Sequence, residues 1–159
     1  MKRIQLFTLL GDLDKLDNLT GVKFNFVVDR NRTIIEKEVE DTKKVSEPSK
    51  DFQEYDRKRI ELLQKYAEKD DAGNPKFTQA NEGLVRFDIP SNNMKKFQKE
   101  MEELMKTSES AIQERETQLF EYDRFLQEDI SLPFDTLTIE DVSDNITGEQ
   151  FKLIKSFIV

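Results

Sequence analysis

Cysteine and histidine are both missing from this chain of 159 residues. Their absence removes disulfides, the usual zinc ligand sets, thiol nucleophiles and the side chain most often used for proton transfer near neutral pH. A cysteine-free composition also fits a reducing compartment. Glycine and proline are scarce, at 5 and 4 residues, so there are few breakers to divide the chain into short elements. No apolar run approaches the roughly 20 residues that a membrane-spanning helix needs. The opening Met1 to Leu10 runs into Gly11-Asp-Leu-Asp14 without a cleavage-site pattern, and the chain reads as soluble and unprocessed, with no membrane partner.

What remains is 36% hydrophobic and 36% charged, a balance that favours elongated helices with a narrow apolar stripe and a charged outer face. The length is that of one domain and suffices to bury a core. The net charge of -8 is unevenly spread: residues 1–46 hold nine Lys/Arg against eight Asp/Glu, and residues 128–159 hold two against seven. Such a tail repels nucleic acid, and the basic residues elsewhere are interleaved with acids, so direct nucleic-acid binding is not expected.

Along the chain, Ile4, Leu6, Phe7, Leu9, Leu10, Leu13 and Leu16 suggest a short buried helix, with a strand at Lys2 to Phe7 as the alternative. Asp17, Asn18, Thr20 and Gly21 supply a turn. Val22 to Val28 alternates like a strand at first but runs without a breaker into Val28, Ile35, Val39 and Thr42 at helical spacing, which predicts a helix over Val22 to Val45. Pro48 interrupts or kinks it, or sits in the first turn of the next helix. That next helix carries Phe52, Tyr55, Arg59, Leu62, Leu63 and Tyr66, and Asp70-Asp-Ala-Gly-Asn-Pro75 stops it. Lys76 to Gln79 and Leu84 to Ile89 read as the strands of a small hairpin closed by Ala80 to Gly83. Ser91 is the candidate cap of a third long helix.

On that helix Met94, Phe97, Met101, Leu104, Ala111, Leu119 and Tyr122 follow a three-four spacing and predict an interaction seam, with Ser108 and Arg115 as polar interruptions. A helix this long needs a comparably long partner, and the preceding helix is available. The expected fold is therefore mainly α (α+β): a long antiparallel helical hairpin with a small β-hairpin at its turn and a short C-terminal helix. The expected domains are residues 1–129, the helical hairpin including the β-hairpin at 76–89, and residues 130–159, an acidic segment. Within the latter, Ile130 to Thr138 reads as extended and Ile139 to Val142 as one helical turn. Thr147 and Gln150 have capping-box spacing before a terminal helix. Its apolar Phe151, Ile154, Phe157 and Ile158 form a candidate interface, docked on the same or a neighbouring subunit.

No catalytic, metal or cofactor set emerges. Aligning Gly73 with the invariant glycine of an EF-hand loop puts Ala72 at a ligand position and Gln79 where the bidentate acid belongs, so the match fails. Acid pairs such as Glu102 with Glu103, or Asp141 with Asp144, read as solvated surface. Arg30 and Arg32 could grip an anionic partner, but spaced charges on a helix ordinarily face water. Met94, Met101 and Met105 share a face and read as packing residues before they read as an adaptable binding surface.

Three stretches carry a resemblance by their order: Gly21 to Asn31 followed by Glu36 to Glu40, the Lys65 to Pro75 turn, and the ending Leu137 to Val142 with Ile146 to Gln150. Together they resemble a family of small tailed-phage proteins of unknown function. The resemblance implies a bacteriophage origin and a link with virion morphogenesis. It brings no catalytic residues. The expectation is a non-catalytic phage structural or assembly protein that contacts other phage proteins or itself as a homo-oligomer, located in the virion or the host cytoplasm. The alternative is a phage-encoded inhibitor of a host defence or metabolic protein.

Overall fold

A computed structural model describes residues 1–79 and 85–159. The protein is mainly helical with a two-stranded antiparallel sheet. The expected hairpin loop at Ala80 to Gly83, and Leu84 after it, lie outside the described residues. The chain divides into two compact units, residues 1–47 with 119–159, and residues 48–118.

In the first unit, α1 (Gln5–Leu13) runs into a 3₁₀ turn, and α2 (Val22–Val45) follows. The helical reading of both stretches therefore holds; Lys2 contributes just an isolated bridge to Asp129. Gly21 precedes α2 with φ of 129°, a conformation open to glycine because it has no Cβ. Leu6, Leu13, Leu16, Phe24 and Ile35 are fully buried together with Leu137, Ile154 and Phe157 from the end of the chain.

The segment after Asp129 is extended, as its composition suggests. Buried Asn31 on α2 fastens it by donating from Nδ2 to the Asp135 carbonyl at 2.9 Å and accepting the Asp135 N–H at Oδ1 at 2.8 Å. A 3₁₀ turn at Ile139–Asp141 precedes α6 (Gly148–Ile154). Thr147 and Gln150 form the expected capping box, and Gln150 Nε2 also donates to the Lys15 carbonyl at 2.8 Å. Leu137 N–H donates to the Phe157 carbonyl at 2.7 Å, which zips the extended segment to the end of the chain.

In the second unit, α3 (Lys50–Tyr66) is capped by the Ser49 hydroxyl, which accepts from Phe52 N–H, with Pro48 just outside the helix. Asp70 closes the turn after it by accepting the Ala72 and Asn74 N–H groups at 2.9 and 2.8 Å, and Gly73 takes φ of 84°. Strands β1 (Phe77–Gln79) and β2 (Val85–Phe87) then pair with Phe77 opposite Phe87.

Helix α4 (Ser91–Thr107) starts directly after Pro90. Ser91 is already helical and does not cap it; the Pro90 carbonyl accepts from Asn93 and Met94 N–H instead. Nor is the long helix continuous. Ser108, at φ −112° and ψ 15°, separates α4 from α5 (Glu109–Leu126), and its N–H is shared between the Leu104 and Met105 carbonyls at 3.1 and 3.3 Å. α5 contributes residues up to Gln118 to the second unit and those from Leu119 to the first.

The domain boundary differs from the expected one. Residues 130–159 do not stand apart; their apolar side chains complete the core begun by residues 4–39, and the separate body is the segment between.

Candidate interaction surfaces

The seam is built where α3 lies against α4. Tyr66 is buried, its ring meets Phe97 edge-on at 6.1 Å, and its hydroxyl donates to Glu100 at 2.6 Å. Lys65 pairs with the same carboxylate at 2.7 Å, and Asn93 donates to the Tyr66 carbonyl at 3.3 Å. Farther along, Tyr55 and Ala111 line one shallow groove, and the Arg115 guanidinium lies 5.8 Å from the Phe52 ring centroid. Arg115 is thus a contact within the second unit rather than a gap in the seam.

Met94, Phe97, Met101 and Leu104 are half-buried and Ala111 is buried. Leu119 and Tyr122 fall in the first unit, Leu119 being 43% exposed and Tyr122 half-buried. The structure therefore keeps the first five seam residues in the second unit, with Phe97, Leu104 and Ala111 on the side toward α3, and assigns the last two elsewhere, a division marked by no breaker in the sequence.

Of the two surfaces open to the C-terminal residues, the same or a neighbouring subunit, the structure has them on the same one. Ile154 and Phe157 are 0% exposed, with Phe157 edge-on to Phe134 at 5.0 Å, and Phe151 and Ile158 pack half-buried against the same core. Side chains with no exposed surface cannot form a docking face while the unit is folded. The docking takes place within the chain.

The two arginines considered for anion binding are also internal ties. Arg30 pairs with Asp135 at 3.0 Å, while Arg32 donates to the Leu13 carbonyl at 3.0 Å and pairs with Asp17.

Several ion pairs of the second unit cluster on one side of α3, and Arg59 with Asp56 at 2.7 Å forms a separate one on the other side. Arg57 binds Glu54 at 2.7 Å and also Glu61, and Lys58 binds Glu54 at 3.2 Å. Hydrogen bonds from Arg57 and Lys58 hold the Glu54 carboxyl down at about 2, so it stays ionised and unsuited to donate a proton near neutrality. Lys58, Glu61 and Lys65 on α3 and Glu100 and Glu103 on α4 border an open groove of about 510 Å³.

On the opposite side lies Met105, which the sequence grouped with Met94 and Met101 as packing before binding surface, together with Ile60 and Ile112, which it did not single out. Ile60 is 36% and Met105 48% exposed, with Leu63 and Ile112 half-buried. Met105, Glu109 and Ile112 line a shallow hollow of about 450 Å³. The seven-residue step from Met105 to Ile112 was a usable signal for a second stripe.

Among the described residues no cluster of three or more His, Cys, Asp or Glu is arranged to hold a metal ion, and no helix is long and apolar enough to cross a membrane. Comparison with known protein families, with curated proteins and with solved structures gives no match.

Proposed function

We propose that this protein is a non-catalytic structural or assembly protein of a tailed phage, acting through protein–protein contacts with other virion proteins or with itself. The observation that carries this reading is the poor burial of the second unit. Among its described residues the buried hydrophobic side chains are Tyr66, Ala67 and Ala111, while Phe52, Leu62, Leu63, Met94, Phe97, Met101 and Leu104 are half-covered. A unit of this size ordinarily hides most of its large apolar side chains, and a helix pair that leaves them at the surface gains stability by burying them against another chain.

The finer architecture belongs to the same reading. The facing residues pass from Tyr66 in ring contact with Phe97, through grooves lined by Leu62 with Leu104 and by Tyr55 with Ala111, to Phe52 with Arg115. This progression supports a long antiparallel hairpin formed by α3 with α4 and the start of α5, the small sheet lying at its turn. The phage assignment rests on the ordered motifs at Gly21–Asn31, Lys65–Pro75 and Ile146–Gln150.

Mass spectrometry of purified particles and assembly intermediates tests the proposal, alongside pull-down from infected cells. The chain is expected in particles or intermediates, with virion proteins in the pull-down. Absence from both, with capture of a host defence or metabolic protein, would replace this reading with that of an inhibitor.

A further inference from the structure

We infer that the apolar side of the second unit, carrying Ile60 and Leu63 on α3 and Met101, Met105 and Ile112 across α4 and α5, binds the same side of a second copy of this chain. The inference deepens the protein-contact reading and rests on it for its biological meaning.

At about 100° per residue, the α3 positions near α4 are Tyr55, Leu62 and Tyr66, with Lys58, Glu61 and Lys65 to one side and Ile60 and Leu63, flanked by the paired Asp56 and Arg59, to the other. On the facing run, Glu100, Glu103, Thr107 and Ser110 share the charged side, where they line grooves with Lys58, Leu62 and Tyr55. Met101, Met105 and Ile112 occupy the other. The two sides differ in their balance: one is lined by Lys58, Glu61, Lys65, Glu100 and Glu103, and the other carries the Arg59–Asp56 pair at 2.7 Å beside Ile60 at 36% and Met105 at 48% exposure.

Charge balance and area select the occupant. α3 holds five basic against four acidic residues and α4 four against three, in a chain whose net charge is -8. These helices are the part of the chain that two copies can bring together without strong like-charge repulsion, and neither helix carries a field of one sign to recruit an acidic or basic foreign partner. Helices of 17 residues extend about 25 Å, and a side-by-side pair is about 20 Å wide, giving a footprint of roughly 500 Å² per copy. Two such faces bury about 1,000 Å², the lower bound for a specific interface.

The contact order within one copy also fixes the pairing between copies. Tyr66 lies level with Phe97 and Tyr55 near Thr107 to Ala111, which sets Ile60 level with Met105 and Leu63 with Met101. A two-fold axis along the helices lays α3 of one copy antiparallel over α4 of the other. Ile60 then meets Met105 of the second copy, and all neighbours in the resulting four-helix arrangement run antiparallel.

The chain has no cysteine of its own, so a single introduced thiol reports its neighbour without background. Full-length Ile60→Cys and Met105→Cys are mixed and oxidised. A disulfide-linked species at twice 18.7 kDa is expected from the mixture and from neither variant alone. Light scattering of the unmodified chain should give the dimer mass, and Met105→Lys, at an already exposed position, should raise the dimer dissociation constant about 100-fold by placing an unpaired charge in the interface. A monomer at ~100 µM protein overturns the inference, as does cross-linking of Ile60→Cys to itself with none in the mixture. A monomeric chain that is still found in particles would remove self-association while leaving the assembly function standing.

Discussion

Asn31 offers the sharpest test of how the first unit is held together. It is fully buried, lies 104 residues from its partner, and satisfies both the N–H and the C=O of Asp135. Replacing it by leucine keeps the approximate volume and the burial but removes a donor and an acceptor together. Two backbone groups then lose their partner in partly buried surroundings. At about 1–3 kcal/mol for each orphaned group, tempered by access of water to the half-buried Asp135, the expected loss is about 2–4 kcal/mol. Arg30 supplies the control, because it bonds the same residue from outside: its ion pair with Asp135 at 3.0 Å joins side chains 58% and 32% exposed. Arg30→Ala should therefore cost at most about 1 kcal/mol. Urea unfolding followed by circular dichroism measures both. A cost below about 1 kcal/mol for Asn31→Leu, or an equal cost for the two variants, would refute the view that this amide is what fixes the extended segment to α2.

Glycine substitutions should act in opposite directions. Gly21→Ala is expected to destabilise by about 1–3 kcal/mol, because φ of 129° is strained for alanine and its Cβ would meet that of Phe24 at 3.2 Å, whereas Gly11→Ala, inside α1 with open space around it, should stabilise by about 0.5–1 kcal/mol; thermal unfolding separates the two. Phe157→Ala, in the closed core with Phe134 against its ring, should cost about 3–5 kcal/mol in the same assay. Asp141 gives a pH signature. Hydrogen bonds from Lys23 and from the Thr138 N–H and hydroxyl lower its carboxyl from 3.8 to about 2. Because the folded value is the lower one, this stabilisation is fully present above about pH 4 and is lost as the pH falls toward 2. Asp141→Asn should be less stable at neutral pH and show a flatter stability profile over that acid window, and an unchanged profile would count against the linkage.

Local chemistry was legible in the sequence and long-range packing was not. Val22 to Val45 could be read as one helix because Val28, Ile35 and Val39 keep their spacing without a breaker, and they are among the residues buried on α2. The box of Thr147 and Gln150 was equally plain, since its donors and acceptors are three residues apart. Ser108 gave less warning, as a serine is tolerated inside helices and its effect depends on how the neighbouring turns pack. What an apolar terminal face docks on cannot be decided from periodicity. Phe157 and Ile154 have the pattern of an interface and of a core alike, and the choice is made by Leu6, Leu13 and Phe24 far away in sequence. The same limit applied to the seam: spacing located Met94 to Ala111, yet the assignment of Leu119 and Tyr122 to the other unit follows from tertiary contacts alone.

The discontinuity of the first unit has a consequence for folding order. Its core draws on Phe24 and Phe157 together, so the native interior is not complete on a nascent chain until Phe157 has been synthesised. The intervening segment can act earlier, since its contacts from Phe52 with Arg115 to Tyr66 with Phe97 lie wholly within residues 48–118. Once formed, those contacts replace a flexible connection of 71 residues by an effective loop of a few, which lowers the entropic cost of closing the core by roughly 2 kcal/mol. The inserted helices thus speed the joining of the chain's two ends, and variants that loosen them should slow refolding of a core they do not belong to.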